Sequence, residues 1–554
     1  MNLNRFFNHQ TRTVTLAAGV LAISIILSGF LSTIGDFLLA RRFGAGPLDI
    51  YFAAFRIPDL IYNILIAGGI VVAFLPLFSE YFSKDKKIGW QFTSNCLNVF
   101  LFLLIFLCLI LFIITPALIK LIVPGFSPEK LNQTIFLTRI LFFSPILLGL
   151  SSIFSGILQY FNRFLVYSLA PVLYNLGIIF GILFFSPHFG ILGVVFGVIL
   201  GALFHLSIQI PSALNCGFKY QPILNFKDSS IKRFFLLIIP RTFGIAAQQI
   251  NLLVTTAIAS ALSLGSIAIF TFSNNFQNFI IGIFGTSFAI AAFPNLAKSW
   301  VELKKEEFIK NFSKIFRQIL YFVIPLSLLI FLLKNQIINL WLRHGQFSLI
   351  DAKLTAASLG LFSFSLFASS LIPLIFRAFF SFQETKTPTL IAIISIVLNV
   401  FLSFYLTRLL SLQNFFQNFI KEIFSLQEIK DVSVLGLPLA FSVATIFQFI
   451  ILIFFLYKRI GNFELKEIFN SFLKILISSI LTSGGVYFTL KITFLFPKTF
   501  WLTFWQIAIS GLIGALLYII FTLFLGSPEI ETFLKIRENL LKSKKRQNQK
   551  NNHT

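Results

Sequence analysis

Charged residues are scarce in this chain. Only 12% of its 554 residues are Asp, Glu, Lys or Arg, whereas 57% are hydrophobic. An ordinary soluble domain carries about 25% charged residues, so the composition excludes one. Cysteine is also rare: three residues occur without metal-ligand spacing, which excludes a disulfide framework and a cysteine-based metal centre. The sequence contains no recognisable Ser/His/Asp set, paired carboxylates or phosphate loop, so it favours a protein that is not an enzyme and needs no metal or cofactor.

Long hydrophobic runs fill the chain instead. A hydrocarbon core about 30 Å thick requires about 20 apolar residues of helix, and only helices or closed barrels satisfy their backbone groups there. In the strands of a membrane barrel, apolar and polar residues alternate with period two, and these runs show no such alternation. The runs therefore predict an all-α polytopic membrane protein with about 14 transmembrane helices. The predicted spans are 14–40, 50–82, 92–119, 133–160, 164–186, 189–212, 233–262, 266–297, 313–334, 352–382, 387–410, 433–457, 470–491 and 500–526.

Basic residues fall mainly in alternate loops. The loop 298–317 holds Lys304, Lys305, Lys310 and Lys314, and the C-terminal tail is also basic. Positive loops stay in the cytoplasm, so this pattern predicts that both termini are cytoplasmic. The net charge of +24 is explained by this orientation rather than by binding of nucleic acid. The basic tail could contact anionic lipid or simply remain solvated.

The sequence resembles itself weakly. The segment that starts at Gly46 is similar to one that starts at Gly265, and the loop from Gln159 is similar to one from Gln383. The offsets of 219 and 224 residues nearly agree. They favour two six-helix lobes in a parallel pseudo-two-fold repeat, with chance similarity of apolar segments as the alternative. The predicted organisation is an N-lobe at 1–212, a C-lobe at 233–457, two additional helices at 470–526 and a basic cytoplasmic tail at 527–554.

Ionisable residues occur within several predicted spans. They are costly at membrane depth and often face an interior or a cavity, although Arg near a span end can also extend to the interface. Arg suits a pyrophosphate because its planar fork makes bidentate contacts. The candidate binding residues are Asp36, Arg56, Asp59, Arg241 and Arg377, together with the polar Asn275. For Asn275 and its polar neighbours, hydrogen bonding between helices is the competing interpretation.

Four motifs carry a family resemblance. The segment 40–59, ARRFGAGPLDIYFAAFRIPD, and the segment 74–80, FLPLFSE, resemble the signature of the MurJ (MviN) lipid II flippases of the MOP exporter superfamily. The segments 377–388, RAFFSFQETKTP, and 159–163, QYFNR, resemble loops in the two halves of that family. The resemblance implies a protein of the cytoplasmic (inner) membrane that flips undecaprenyl-pyrophosphate-linked glycopeptide. It implies a role in peptidoglycan synthesis and cell shape, with membrane lipids and cell-wall synthesis proteins as partners and a lipid-tail groove near spans 13 and 14.

The chain also departs from that family. Many members have basic or acidic residues at the positions where this chain has Gly29, Gly35, Tyr62, Asn63, Ala67 and Asn275. Some members bind sodium, and the resemblance would place an ion near Thr255, Asn399 and Ser403. Coupling to sodium and coupling to the membrane potential are both open alternatives. The expected activity is movement of lipid II to the outer leaflet by alternating access. The alternatives are export of another undecaprenyl-pyrophosphate-linked saccharide, a scaffold without transport, and a membrane glycosyltransferase.

Overall fold

The computed structural model describes residues 14–343, 345–493 and 499–530, apart from the side chains at 14–18, 67–69, 71–72, 239–245, 247 and 493. Within these ranges the regular structure is helical, and each predicted span coincides with a helical segment. The prediction of an all-α polytopic membrane protein is therefore confirmed. Described residues form two compact units, with 14–268 and 345–348 in unit 1 and the remainder in unit 2.

Unit 1 contains the helices of the first seven predicted spans. Their order is α1 Val14–Phe43, α2 Ala45–Ile61, α3 Val71–Lys84, α4 Lys86–Ile122, α5 Pro128–Leu141, α6 Phe143–Tyr160, α7 Phe164–Phe180, α8 Ile191–Ser207 and α9 Ser229–Ser260. The short helices Ser186–Phe189 and Gln209–Leu214 flank α8. Two π-helical segments, Tyr62–Ile70 and Gly181–Phe185, interrupt the second and fifth spans. Such segments frequently occur at functional sites.

The remaining helices belong to unit 2, except that α10 begins in unit 1 and passes into unit 2 after Ala268. Their order is α10 Ser266–Ile280, α11 Ser287–Val301, α12 Lys305–Trp341, α13 Leu349–Ser363, α14 Leu366–Ser381, α15 Lys386–Ser411, α16 Phe415–Phe424, α17 Gly436–Ile460, α18 Leu465–Thr493 and α19 Phe500–Phe524. A π-helical segment, Ile281–Thr286, separates α10 from α11. A short 3₁₀ helix, Ser433–Leu435, precedes α17.

By length and composition, eleven helices of the described residues can cross a membrane, or twelve if the bent pair α13 and α14 forms one span. The helical segments 45–84 and Ser229–Ser260 also coincide with predicted spans but are outside those twelve. The count of fourteen transmembrane helices thus stays a prediction. Large apolar side chains cover much of the outside of these helices, for example Ile113 and Phe401, as expected for surfaces that face lipid.

Glycines allow close contact between α8 and the helical segment formed by α7 and its π-helical extension. A Cβ added to Gly177 would lie 2.3 Å from the Cα of Gly201, and one added to Gly181 would lie 2.4 Å from the Cα of Gly197. Because apolar burial provides little drive for association in lipid, membrane helices gain from such close backbone packing. We expect alanine at any of these four positions to push α8 away from α7 or from its π-helical extension.

The lobe boundaries inferred from the repeat remain predictions. By its contacts α9 belongs to unit 1, where it packs against α2, α3, α4 and the π-helical segment Tyr62–Ile70, whereas the repeat assigns this span to the second lobe. Contacts and internal homology divide a chain by different criteria. The spans at 470–526 correspond to α18 and α19, and the basic tail lies outside the described residues from 531 onwards.

Candidate functional site

Asp49 joins the start of α2 to the start of α10. Its carboxylate accepts hydrogen bonds from the backbone N–H of Gly265 at 2.7 Å and of Ala268 at 3.0 Å, and only 3% of the residue is exposed. The first N–H groups of a helix have no partner inside it, and an acidic side chain also interacts favourably with the helix dipole. The buried carboxylate therefore fixes the loop before α10 against α2. Gly265 and Ala268 are also the residues that the offset of 219 pairs with Gly46 and Asp49.

The position of Gly44, between α1 and α2, has no room for a side chain. Its φ is +70°, and an added Cβ would lie 2.6 Å from the carbonyl oxygen of Gln346. The N–H of Gln346 donates to the carbonyl of Arg41 at 3.0 Å. The glycine-rich motif thus allows a second loop, at 345–348, to approach the end of α1.

Arg56 lies one turn before Asp59 on α2 and is 7% exposed. Its Nε donates to the hydroxyl of Thr256 on α9 at 2.8 Å. Closer to the opposite end of α9, Arg233 makes a bidentate pair with Glu80 of α3, with N–O distances of 3.2 and 3.0 Å. Together with the contact of Asp49, these bonds connect the second span to α9 and to the loop that follows it. Polar contacts along its length thus hold α9 in unit 1.

A cavity of about 270 Å³ lies in unit 1. The residues that line it come from α2, the adjoining π-helical segment, α6, α7 and α8: Phe55, Pro58, Asp59, Tyr62, Asn63, Ser144, Pro145, Leu148, Pro171, Tyr174 and His205. The wall therefore combines one carboxylate, an imidazole, two phenols, an amide and a hydroxyl with apolar side chains. Such a mixture of apolar walls and a few polar groups is typical of a binding site.

Proline shapes the cavity wall. Pro58 has no N–H to bond the carbonyl of Ala54 within the helix, and that carbonyl instead accepts a hydrogen bond from Thr138 at 3.2 Å. One turn further on, the helix changes to π geometry at Tyr62. The side chain of Asn63 donates to the carbonyl of Asp59 at 2.9 Å. The irregular backbone therefore lies where the cavity forms.

His205 lines the cavity, and hydrogen bonds fix the position of its imidazole ring. Its Nδ1 lies 2.7 Å from the hydroxyl of Ser151, and the buried Gln209 donates to the same hydroxyl at 2.8 Å. Gln209 in turn accepts from Ser155 at 2.8 Å. This network fixes the imidazole at the cavity wall, because each hydrogen bond restrains the next side chain.

Among the described side chains, those of Asp36, Arg377 and Asn275 are absent from the lining of this cavity. Asp36 is buried in α1, with 9% exposed. In unit 2, the guanidinium carbon of Arg377 lies 5.2 Å from the ring centroid of Phe293, a cation–π contact. Asn275 is half-buried in α10. The side chain of Arg241 lies outside the described residues. Binding of substrate by these residues, and by Arg56 and Asp59, stays a prediction.

The three residues predicted to bind an ion are all buried. Thr255 lies in unit 1, whereas Asn399 and Ser403 lie in unit 2. The hydroxyl of Thr255 in unit 1 donates to the carbonyl of Asn251 at 2.9 Å. Asn399 and Ser403, in α15 of unit 2, are 4% and 1% exposed. Four residues apart, they share a helix face. An ion at any of these residues remains a prediction.

Sequence reasoning missed several residues that the structure brings into the site. Asp49 had a signal, because it follows the glycine-rich motif and lies within the repeated segment. Thr256, Ser144 and Tyr174 carry no distinctive pattern, since each is an ordinary residue of an apolar span. Their roles arise only when helices from distant parts of the sequence pack together.

Comparison with known proteins agrees with the motifs. The family model described as lipid II flippase MurJ matches residues 39–507. The probable lipid II flippase MurJ of Buchnera aphidicola subsp. Acyrthosiphon pisum (strain APS) is 30% identical over 469 residues, which cover 81% of this chain and 92% of that protein. That of Borreliella burgdorferi is 28% identical and covers 87% of this chain and 90% of that protein.

Solved structures give the same result. A structure described as lipid II flippase MurJ in an inward closed conformation has a TM-score of 0.73 and 27% identity, covering 91% of this chain and 98% of that one. An inward-facing MATE transporter of the MOP superfamily has a TM-score of 0.62 and 15% identity, covering 79% and 95%, and supports the fold alone. With a family match across most of its length, this chain belongs to the lipid II flippase MurJ family.

Proposed function

We propose that this protein moves lipid II from the cytoplasmic to the outer leaflet of the inner membrane by alternating access. The observation that carries the proposal is the family match over residues 39–507. The activity is transport rather than catalysis. Lipids of the membrane surround the protein, and proteins of cell-wall synthesis are its expected partners.

Cationic side chains would attract the pyrophosphate of the substrate. Removing such an anion from water costs several kcal/mol per ion even after relaxation. Arg56, Arg241 and Arg377 are the candidates, with Asn275 as a polar contact, while Asp36 and Asp59 would hold basic partners. The burial of Arg56 against Thr256 supports a role for this residue within the protein rather than at the lipid interface.

The membrane potential can contribute to the driving force. One charge that crosses 100 mV is worth about 2.3 kcal/mol, so outward movement of a doubly charged pyrophosphate gains about twice that when the cell interior is negative. Sodium binding near Thr255, Asn399 or Ser403 would be an additional contribution. Dissipating the potential and removing sodium separately would distinguish the two forms of coupling.

The direct test is functional replacement. In a bacterium depleted of its own lipid II flippase, expression of this protein should restore growth and the amount of lipid II accessible at the outer leaflet. Arg56→Gln should reduce that amount without changing expression, whereas Arg139→Gln should matter less, because the Nε of Arg139 donates to the carbonyl of Phe112 on a neighbouring helix. A protein that reaches the membrane but restores neither would indicate another polyprenyl-linked saccharide or a scaffold.

Topology has its own test. Both termini are expected in the cytoplasm because basic residues are concentrated in alternate loops. Reporter fusions after Lys310 and after Lys542 should both report a cytoplasmic location. A periplasmic signal from either fusion would contradict the assignment of the spans.

A further inference from the structure

We propose that the linker 218–228, which leads into α9, binds anionic phospholipid at the cytoplasmic surface of the membrane. This inference goes beyond lipid II translocation and does not depend on it. The linker lies in unit 1 and is irregular, since no helix or strand forms between Leu214 and Ser229. Irregular backbone beside lipid must have its polar groups satisfied by the protein, and the linker meets that condition.

Side chains of α4 bond the backbone of the linker. The Nδ2 of Asn98 donates to the carbonyl of Gln221 at 3.3 Å and to that of Ile223 at 2.8 Å. Asn95 pairs with the backbone of Asn225 in both directions: its Nδ2 donates to the carbonyl at 3.1 Å, and its Oδ1 accepts from the N–H at 2.8 Å. These bonds hold the linker along α4 without water.

The other side of the linker is apolar and exposed. Tyr220, Leu224 and Phe226 are 58%, 52% and 44% exposed, and Pro222 between them is also exposed. The hydroxyl of Tyr220 donates to the Oδ1 of Asn98 at 3.0 Å, so its polar end is bonded while its ring is open. An exposed apolar patch of this kind marks an interaction surface.

This apolar side continues a surface that is expected to face lipid. The ring centroid of Phe226 lies 5.5 Å from that of Phe102 on α4. Phe102 begins a row of exposed side chains along one face of α4, followed by Phe106, Leu109 and Ile113. Because α4 is long and apolar enough to cross a membrane, this row is expected to contact acyl chains. The linker therefore lies where the lipid-facing row ends.

Exposed lysines surround the apolar side. Trp90 packs on Phe218 at 5.7 Å, which places the start of α4 beside the linker. The exposed lysines of these two segments and of the first turn of α9 are Lys86, Lys87, Lys219, Lys227 and Lys232. Within the described part of the chain none of the five forms an ion pair. The carboxylate of Asp228, in contrast, caps α9 by accepting from Ser230.

The combination of lysines and apolar side chains selects an anionic lipid. Basic loops stay in the cytoplasm, and the negative surface of that leaflet attracts basic segments. Lys219 and Lys227 flank the apolar residues in the sequence, so they would contact phosphates while Leu224 and Phe226 enter the boundary between head groups and acyl chains. Segments that lie in this boundary have the same division into basic and apolar side chains.

The test places a fluorescent label at Leu224→Cys in full-length protein with Cys216→Ser, because the other two cysteines are buried. In nanodiscs that contain phosphatidylglycerol, lipids with a nitroxide near the head group should quench the label, and soluble iodide should quench it weakly. The control is a label at Lys305→Cys, the exposed first residue of α12, which should respond mainly to iodide. Quenching of the Leu224→Cys label by iodide alone would overturn the proposal.

A titration of the same labelled protein tests the charge. In mixed micelles, phosphatidylglycerol should change the fluorescence, whereas phosphatidylcholine and inorganic phosphate should not. Each of Lys219→Gln and Lys227→Gln should raise the half-maximal fraction of phosphatidylglycerol about fivefold, the value for one basic residue near an anionic surface. Lys305→Gln is the matched control and should leave it unchanged. Equal responses to the two lipids, a response to inorganic phosphate, or an unchanged midpoint in both linker variants would overturn the proposal.

Discussion

Replacing Asp49 should release the loop before α10 from α2. The buried carboxylate accepts two backbone hydrogen bonds, from Gly265 at 2.7 Å and from Ala268 at 3.0 Å. Asp49→Ala removes both acceptors and leaves two buried N–H groups to find water or remain unbonded. Asp49→Asn keeps one acceptor oxygen but loses the charge. We therefore expect the alanine variant to be the more severe of the two.

The magnitude follows from the contacts. Loss of a helix-capping side chain costs about 0.5–2 kcal/mol, and leaving a buried donor unsatisfied costs about 1–3 kcal/mol. Because the two donors share one carboxylate, their costs overlap, and about 2–4 kcal/mol is expected for Asp49→Ala. At about 1.4 kcal/mol per factor of ten, local opening of this loop should increase roughly 30-fold or more. Asp49→Asn should cost about half as much in free energy.

Hydrogen exchange measured by mass spectrometry on protein in nanodiscs would test this. Peptides that cover 261–270 should exchange faster in Asp49→Ala than in Asp49→Asn, and faster in both than in the unmodified protein. Asp228→Ala is the control: it removes a cap whose carboxylate accepts from Ser230 at 2.9 Å, and it should leave 261–270 unchanged. Unaltered exchange at 261–270 in both Asp49 variants would refute the proposed role of the carboxylate.

A double-mutant cycle of Arg56→Gln and Thr256→Val should give a coupling energy of about 1–3 kcal/mol in unfolding, the value for a hydrogen bond to a charged group; additive effects would contradict it. The 2.9 Å contact of Lys353 holds the pKa of the Glu428 carboxyl below its usual range, so the pair should persist above that range and be lost as the pH falls through the lowered pKa. A spin label in the loop 425–432, which contains Glu428, should gain mobility on acidification, and Lys353→Met should abolish this change. A label whose mobility does not depend on pH would argue against the pair. A spin label attached to Phe419→Cys should be more accessible to oxygen than to a polar nickel chelate, because this exposed side chain of α16 is expected to face lipid. Greater accessibility to the chelate would show that the side chain faces water.

The apolar runs predicted the helices well because a membrane span must satisfy its backbone hydrogen bonds internally. The predicted span 164–186, for example, coincides with α7 and its π-helical extension. The ends of the helices differ from the ends of the predicted spans by several residues, because the polar first and last turns of a helix lie beyond the apolar run. The span 92–119 became Lys86–Ile122 for this reason, with Asp85 as the capping residue.

The candidate site was harder to predict than the helices. Charge within an apolar span identified Arg56 and Asp59, but their different surroundings could not be read from a separation of three residues. Arg56 contacts Thr256, 200 positions later in the chain, while Asp59 lines a cavity with Tyr174 and His205. These neighbours come from other helices whose rotation about their own axes is not encoded by a uniformly apolar pattern.

The sequence by itself determined that this protein lies in a membrane and where its helices approximately lie. Through the glycine-rich motif, it also determined the family. These properties depend on hydrophobicity along the chain and on local motifs, which need no knowledge of distant contacts. Only the tertiary structure decided that Asp49 caps α10, that α9 is held in unit 1 and that a carboxylate and aromatic rings border one cavity. Each of these depends on which faces of separate helices meet, and that is fixed by packing between residues far apart in the sequence.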